Sequence, residues 1–250
     1  MSANFYDKVA KKFGDYHTEH YRHITEYPNG DPEKVFKEKL LTVSGKNKSA
    51  LDLGCADGYF TLLVAPYFKN IVAVDLSKGM LTAARNLQLE KGINNVSFKE
   101  QDASKTGYED EQFELVYSRR GPTPFGEISR LLKTEGYFVE IDIGEQDCRA
   151  IKEVFGRGQN FGKWNIPQLA IDKTEASKTE LKAVFSQEYF CDEYYRSYED
   201  LDIFLQGVPI FEDFDSEKDR SLLEKYVGKY TTEKGIKLPR HRVVIVFQKT

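Results

Sequence analysis

Cysteine is scarce in this sequence. Its 250 residues hold three, at Cys55, Cys148 and Cys191. These are too few for a disulfide scaffold, and they are not spaced as zinc ligands. A reduced, cytoplasmic setting is the expectation. Long apolar runs are also missing. No stretch approaches the ~18 residues of a membrane-spanning helix, which excludes that class. The opening MSANFYDKVAKKFGDY lacks the apolar stretch of a secretory signal. Nor is there an excess of positive charge: 36 Lys and Arg stand against 40 Asp and Glu, a net charge of −4. No global field attracts a polyanion, so nucleic acid is not an expected partner. What is present is a globular balance, with 40% hydrophobic and 30% charged residues. A chain of this length buries roughly 70–75% of its unfolded surface and needs no staples.

The chain has no internal repeat and no low-complexity segment. Residues 1–48 are polar, with aromatics at Phe5, Tyr6, Phe13, Tyr16 and Tyr21. The spacing of Phe5, Val9 and Phe13 predicts an amphipathic helix of about three turns. A turn cluster from Tyr27 to Pro32 leads into a second predicted helix over 32–43, with Pro32 suited to its first turn. Residues 45–48 read as a turn. From residue 49 short apolar runs alternate with helical stretches. Strands are predicted over 49–53, 71–74, 96–100, 113–117 and 137–143, and helices over 59–65, 78–91 and 127–133. Beyond 143 the alternation weakens into one or two helices and a glycine-rich loop at 156–162. A strand at 183–189, a helix at 221–230 and a strongly β-forming run at 242–247 follow. Residues 192–219 are acidic and aromatic, and read as a lid over the substrate, as a flank packed on its own rings, or as a dimer contact. The pattern predicts an α/β class, a doubly wound, mostly parallel sheet with helices on both faces. It divides into an N-terminal helical extension (1–48), a core (49–143), and remaining core strands with an insertion at about 192–240 (144–250).

The informative segment is Leu51-Asp52-Leu53-Gly54-Cys55-Ala56-Asp57-Gly58. A strand ends, a glycine-rich bend follows and a helix begins, which aims backbone N–H groups and a helix N-terminus at whatever lies above the strand. Gly54 has no Cβ to keep a ligand away, Ala56 is small, and Gly58 permits close helix–strand packing. Asp75 ends the next strand, 21 residues beyond Gly54, where an acid can accept from two ribose hydroxyls. Asp102 follows the third strand, where an acid can accept from an exocyclic amine such as adenine N6. A nicotinamide-binding loop needs a further glycine, but Tyr59 and Phe60 stand there. After the fourth strand come Arg119-Arg120-Gly121-Pro122. Two guanidiniums can clamp a carboxylate or phosphate. Neighbours on an extended chain point to opposite sides, so one is expected to reach the pocket, with Arg119 favoured. His17, His20 and His23 share a loose helical face with no carboxylates spaced to complete a metal site, and read as surface histidines.

Together these pieces resemble the class I S-adenosylmethionine-dependent methyltransferases, most of all the small enzymes related to quinone-biosynthesis methyltransferases (type 11). The likeness rests on 51–58 as the cofactor loop, 72–77 with its ribose acid, and Gln101-Asp102-Ala103 as the adenine site. It rests also on the fourth strand at 113–118 and the turn at 131–137, and covers about residues 48–143. It implies a Rossmann-like, seven-stranded sheet and S-adenosyl-L-methionine as donor, leaving as S-adenosyl-L-homocysteine, with no metal. The implied cofactor residues are Asp52, Gly54, Cys55, Ala56, Gly58, Asp75, Leu76, Met80, Asp102, Ala103 and Ser118. Arg119 and Arg120 are the expected substrate contacts. A proton acceptor, where one is needed, would come from Tyr16, His17, His20 or Asp142. The expected partner is a small-molecule methyl acceptor, and the expected state a monomer or homodimer. A non-catalytic S-adenosylmethionine-binding protein and an RNA methyltransferase are the alternatives. The sequence departs from the family at Ala56, where a second glycine is usual, and at Thr134-Glu135-Gly136. The stretch 118–125 matches no common signature and leaves the acceptor open.

Overall fold

The computed structural model describes residues 3–16 and 21–250. At its centre β2 (Gly45–Leu53) lies parallel between β3 (Phe68–Asp75) and β5 (Phe113–Arg119). Next to β3 lies β4 (Val96–Glu100), and next to β5 lies β6 (Leu132–Ile143), both parallel. A long strand, β9 (Gly235–Lys249), pairs antiparallel with β6, and β7 (Leu181–Tyr195) pairs antiparallel with β9. These seven strands are the expected sheet. Two short ones bring it to nine: β1 (His23–Glu26) pairs with β7, and β8 (Thr231–Thr232) pairs with the start of β9. No residue of β1 is fully buried, so four residues without an apolar face gave no strand signal. His23 therefore sits on a strand and not on a helical face. Residues 45–48, expected as a turn, open β2 with a register shift before Ser49.

The central strands are buried on both faces, which is why they read as continuous apolar runs. On one face lie α2 (Pro32–Val43), α3 (Tyr59–Val64, continued by a 3-10 turn at Ala65–Tyr67) and α4 (Lys78–Lys91). Their Phe36, Leu40, Leu62 and Leu81 pack with Ala50, Ile71, Leu115 and Val139. On the other face α5 (Phe125–Leu131) and α7 (Gln168–Ala176) bring Phe125, Ile128 and Ala176 against Leu51, Val116, Phe138 and Phe247. Helix α5 ends before Leu132, two residues short of its expected end, because Leu132 and Lys133 already belong to β6. Each large side chain buried in these layers contributes roughly 1.5–3 kcal/mol. Among the described residues no helix is long and apolar enough to cross a membrane.

The acidic aromatic segment builds a third cluster. Helices α6 (Arg149–Phe155), α8 (Tyr198–Gly207) and α9 (Arg220–Tyr230) bury Phe155, Phe204, Phe211 and Tyr226 with Tyr195 and Leu238. The glycine-rich loop serves this cluster. Arg157 pairs with Asp213 and Asp219, and a Cβ on Gly158 would stand 2.9 Å from the Phe211 ring. The N-terminal helix α1 (Ala3–Phe13) docks on α4 through Phe5, Val9 and Met80. A Cβ on Gly79 would come within 2.8 Å of Ala10, so the bare glycine permits that approach.

One pair of buried groups opposes the fold at high pH. Glu140 on β6 is fully buried, and neither carboxylate oxygen has a hydrogen-bond partner. Burial, with Asp172 and Asp142 nearby, pushes its pKa well up. Asp172 on α7 is pushed up to about 7, by burial first and by Asp142 second. Both acids hold protons in the fold and lose them in the unfolded chain above ~4. Stability therefore falls as pH rises from about 4 toward 7. Glu140→Gln should flatten this slope, leaving the variant the more stable of the two at pH 8 by on the order of 1–3 kcal/mol. Urea unfolding at pH 5 and pH 8 reads the difference, and equal slopes would refute the account.

Candidate active site

Strands β2, β3, β4 and β5 all end at one edge of the sheet, and the loop after β2 folds back over it. The Gly54 and Cys55 N–H groups donate to the Val74 carbonyl at 2.9 and 3.0 Å. The chain then turns through left-handed conformations at Gly54 (φ +81°), Ala56 (φ +46°) and Gly58 (φ +70°). A non-glycine residue there costs about 1–2 kcal/mol, so Ala56 is a strained replacement and not merely a small one. The Asp75 carboxylate secures the turn. It accepts from the Ala56 N–H at 2.9 Å through Oδ2 and from the Ser77 N–H at 2.8 Å through Oδ1. Ser77 caps α4, and its hydroxyl donates to Asp7 of α1 at 2.6 Å. Burial raises the Asp75 pKa against the pull of these N–H groups.

A cavity of about 360 Å³ opens above this edge. Eight of the expected cofactor residues line it: Asp52, Gly54, Cys55, Ala56, Asp75, Leu76, Asp102 and Ala103. Asp52 is nearly buried, accepts from the Thr61 hydroxyl at 2.6 Å, and is pushed up to about 7 by burial. Asp102 is exposed; its Oδ1 accepts from the Ser104 N–H and hydroxyl, leaving Oδ2 as the oxygen for a ligand. Three expected residues lie outside the lining. Gly58 is a packing glycine, since a Cβ there would stand 2.6 Å from Phe98. Met80 is buried under α1 with Phe5 and Val9. Ser118 is buried and its hydroxyl donates to the Leu53 carbonyl at 3.3 Å.

The N-terminal segment closes the cavity on one side through Tyr6 and Tyr16, whose rings lie 5.5 Å apart. The Tyr16 N–H donates to Asp57 Oδ2 at 2.8 Å, so an acid of the loop itself fastens the extension. Asp57 is not among the expected cofactor residues, and its place inside the loop is the one sequence signal for this role. Burial raises the Tyr6 pKa, so its hydroxyl remains a donor. Of the expected proton acceptors Tyr16 lines the cavity. His17 and His20 lie outside the described residues. Asp142 lines neither this cavity nor its neighbour; its carboxylate turns back to the Ile143 N–H at 2.7 Å.

A second cavity of about 270 Å³ adjoins the first and shares Tyr6, Tyr16, Arg119 and Arg120 with it. Both arginines therefore reach the pocket, against the expectation that one would. Arg120 has φ +59°, so the chain is no longer extended there and the two side chains turn to the same side. Both also bind Glu33 of α2, Arg119 Nε at 2.8 Å and Arg120 at 2.6 Å. Farther in, Asp147 holds Arg240 and Arg242, and Glu193 holds Arg240. His23 and Phe204 also line this chamber, which makes the acidic aromatic segment part of its wall.

Glu33 sits at the start of α2, where Asp31 accepts its N–H at 2.9 Å. Burial alone would raise its pKa, but Arg120 and Arg119 hold it down to about 2. The sign follows: the depressed carboxylate adds stability above about 4.5 that is lost as pH falls toward 2. Glu33→Gln should lower stability at pH 7 by on the order of 1–2 kcal/mol, discounted for partial exposure. The deficit should shrink on acidification. Thermal unfolding of both proteins at pH 7 and pH 3.5 is the check; an undiminished deficit at pH 3.5 would argue against the charge pairing.

The sequence pattern of the methyltransferase-domain family matches residues 44–193. A Bacillus subtilis protein, described as the uncharacterized methyltransferase YcgJ, is 30% identical over 124 residues, covering 44% of this chain and 49% of that protein. A Saccharomyces cerevisiae protein, described as the probable S-adenosylmethionine-dependent methyltransferase CRG1, is 28% identical over 117 residues, covering 43% and 40%. The chain thus spans less than half the length of these relatives. The solved Bacillus subtilis YcgJ structure superposes with a TM-score of 0.62 at 15% identity, over 87% of this chain and 98% of that one. A protein of unknown function from Deinococcus radiodurans gives 0.64 at 17% identity, over 99% and 100%. With the loop, the acids and the strand order in place, the chain belongs to the methyltransferase-domain family and carries its class I, Rossmann-like fold.

Proposed function

We propose that the protein transfers the methyl group of S-adenosylmethionine to a small-molecule acceptor by direct displacement. The observation that carries this reading is the pair of adjoining cavities with a common wall of Tyr6, Tyr16, Arg119 and Arg120. The first cavity is assigned to the donor. Asp75 keeps acceptor capacity beyond its backbone partners for the ribose hydroxyls. Asp102 and Ala103 take the adenine, and the backbone from Gly54 to Ala56 faces the methionine end. The second cavity is assigned to the acceptor, which presents an O, N, S or carbon nucleophile across the common wall to the sulfonium methyl. S-adenosylhomocysteine then leaves.

Catalysis in this scheme comes mainly from holding donor and acceptor in near-attack geometry. The sulfonium is already activated, and a base is needed only when the nucleophile carries a proton of high pKa. Tyr16 is the group on the common wall available for that role. Arg119 and Arg120 stand side by side there on Glu33, and paired guanidiniums suit an acceptor with an anionic or strongly polar group. A cavity of this size takes a small molecule; an RNA substrate has no support from the acidic surface charge. The quinone-type likeness and the cytoplasmic setting remain part of the same proposal.

Calorimetry with S-adenosylhomocysteine, followed by radiolabelled methyl transfer into cell extract, tests the proposal. Binding without any transfer would favour a non-catalytic donor-binding protein. Asp75→Ala should weaken donor binding by about 1.5–3 kcal/mol, the loss of a charged hydrogen-bond acceptor, and by more than Asp102→Ala does. A folded Asp75→Ala protein of unchanged affinity would remove the ribose assignment.

A further inference from the structure

A second cluster of chemistry lies outside both cavities. The turn after β6 carries Glu145, β7 carries Glu188 and β9 carries His241. One ligand atom from each lies within 4.8 Å of the other two. The imidazole is fully buried and locked in orientation. Phe190 stacks on it with ring centres 4.2 Å apart and planes at 12°. Gly144 backs it so closely that a Cβ there would stand 2.2 Å from Nδ1. Glu188 Oε1 is 3.5 Å from Nε2 and Glu145 Oε2 is 3.8 Å from Nδ1. Nε2 has no hydrogen-bond partner, and a buried polar atom left this way costs about 1–3 kcal/mol. Arg240 and Arg242, on either side in sequence, are engaged by Asp147 and Glu193 and offer these carboxylates no salt bridge.

We propose that Glu145, Glu188 and His241 bind a divalent transition-metal ion of the zinc class. One imidazole nitrogen and two carboxylates suit zinc better than magnesium or calcium, which prefer all-oxygen shells. The carboxylates balance the ion's charge. Zinc bonds of ~2.1 Å in tetrahedral geometry set donor atoms roughly 3.4 Å apart; Glu188 Oε1 already stands 3.5 Å from Nε2, and Glu145, now 3.8 Å from Nδ1, swings in to complete the set within the 4.8 Å the three groups span. The ring binds as the neutral base. Nε2 gives its lone pair to the ion and the ring proton sits on Nδ1, giving up the 3.2 Å contact from the Gln146 N–H. The ion would tie the β6–α6 turn to β7 and β9, beside the Asp147–arginine group that walls the second cavity. It is independent of the methyl-transfer reading.

Zinc chloride titrated into the full-length protein, with magnesium and calcium chlorides as comparators, tests this by calorimetry and thermal unfolding. One zinc per chain should bind and raise Tm, with neither comparator doing so. His241→Gln and Glu188→Gln should each weaken zinc binding about tenfold or more. The combined His17→Gln, His20→Gln, His23→Gln variant should bind zinc as the parent does. S-adenosylhomocysteine affinity should be unchanged in Glu188→Gln. If His241→Gln fails to fold, Glu188→Gln decides, because that side chain is 40% exposed. The assignment is overturned if Glu188→Gln binds zinc as the parent does. It is overturned equally if the parent binds none, if calcium binds as tightly, or if the triple histidine variant loses the ion.

Discussion

The Asp75 carboxylate, receiving the Ala56 and Ser77 N–H groups, is the junction on which the site depends. It draws the loop after β2 onto the end of β3, and the same contact starts α4 at its Ser77 cap. Because Ser77 also binds Asp7, the N-terminal helix is fastened to this point as well. An acid so used would be expected to sit low in pKa. Burial raises it instead, so the local structure carries the cost of holding a charge in a sheltered place. That cost is tolerable when the oxygens gain further hydrogen bonds, which is what vicinal hydroxyls provide.

The second feature follows from charge pairing across distant segments. Glu33 comes from the N-terminal extension, Arg119 and Arg120 from the end of β5, and their contacts place α2 at the boundary between the cavities. The extension is thus fixed at Asp7, at Asp57 through the Tyr16 N–H, and at Glu33. It contributes walls to both chambers. The acidic aromatic segment supplies the far wall of the second chamber through Phe204, on a cluster of its own with α6 and α9.

Local patterns were the legible part. The helices over Pro32–Val43 and Lys78–Lys91 and the strand over Val96–Glu100 stand where periodicity and capping residues put them. Asp75 and Asp102 were found because strand ends and acids can be counted along the chain. What stayed hidden depends on residues far apart in sequence. Glu33 gives no sign that two arginines 86 and 87 positions away will close on it. Arg120 reads as an extended residue until its positive φ turns it beside Arg119. Strand β1 has no apolar alternation because it is held by backbone pairing to β7. Met80 matches helical spacing and also a cofactor position; in the fold it packs under α1. Glu145, Glu188 and His241 lie on three separate segments, so no motif could join them.

In the proposed reading the loop, Asp75 and Asp102 form the donor half of a two-chamber methyl-transfer site. A crystal structure with S-adenosylhomocysteine tests it most directly. The ribose hydroxyls should lie on Asp75, the adenine beside Asp102 and Ala103, and the sulfur facing Tyr6, Tyr16 and Arg119. The second cavity should remain open to an acceptor. Ligand in the second cavity, or a ribose held away from Asp75, would contradict it.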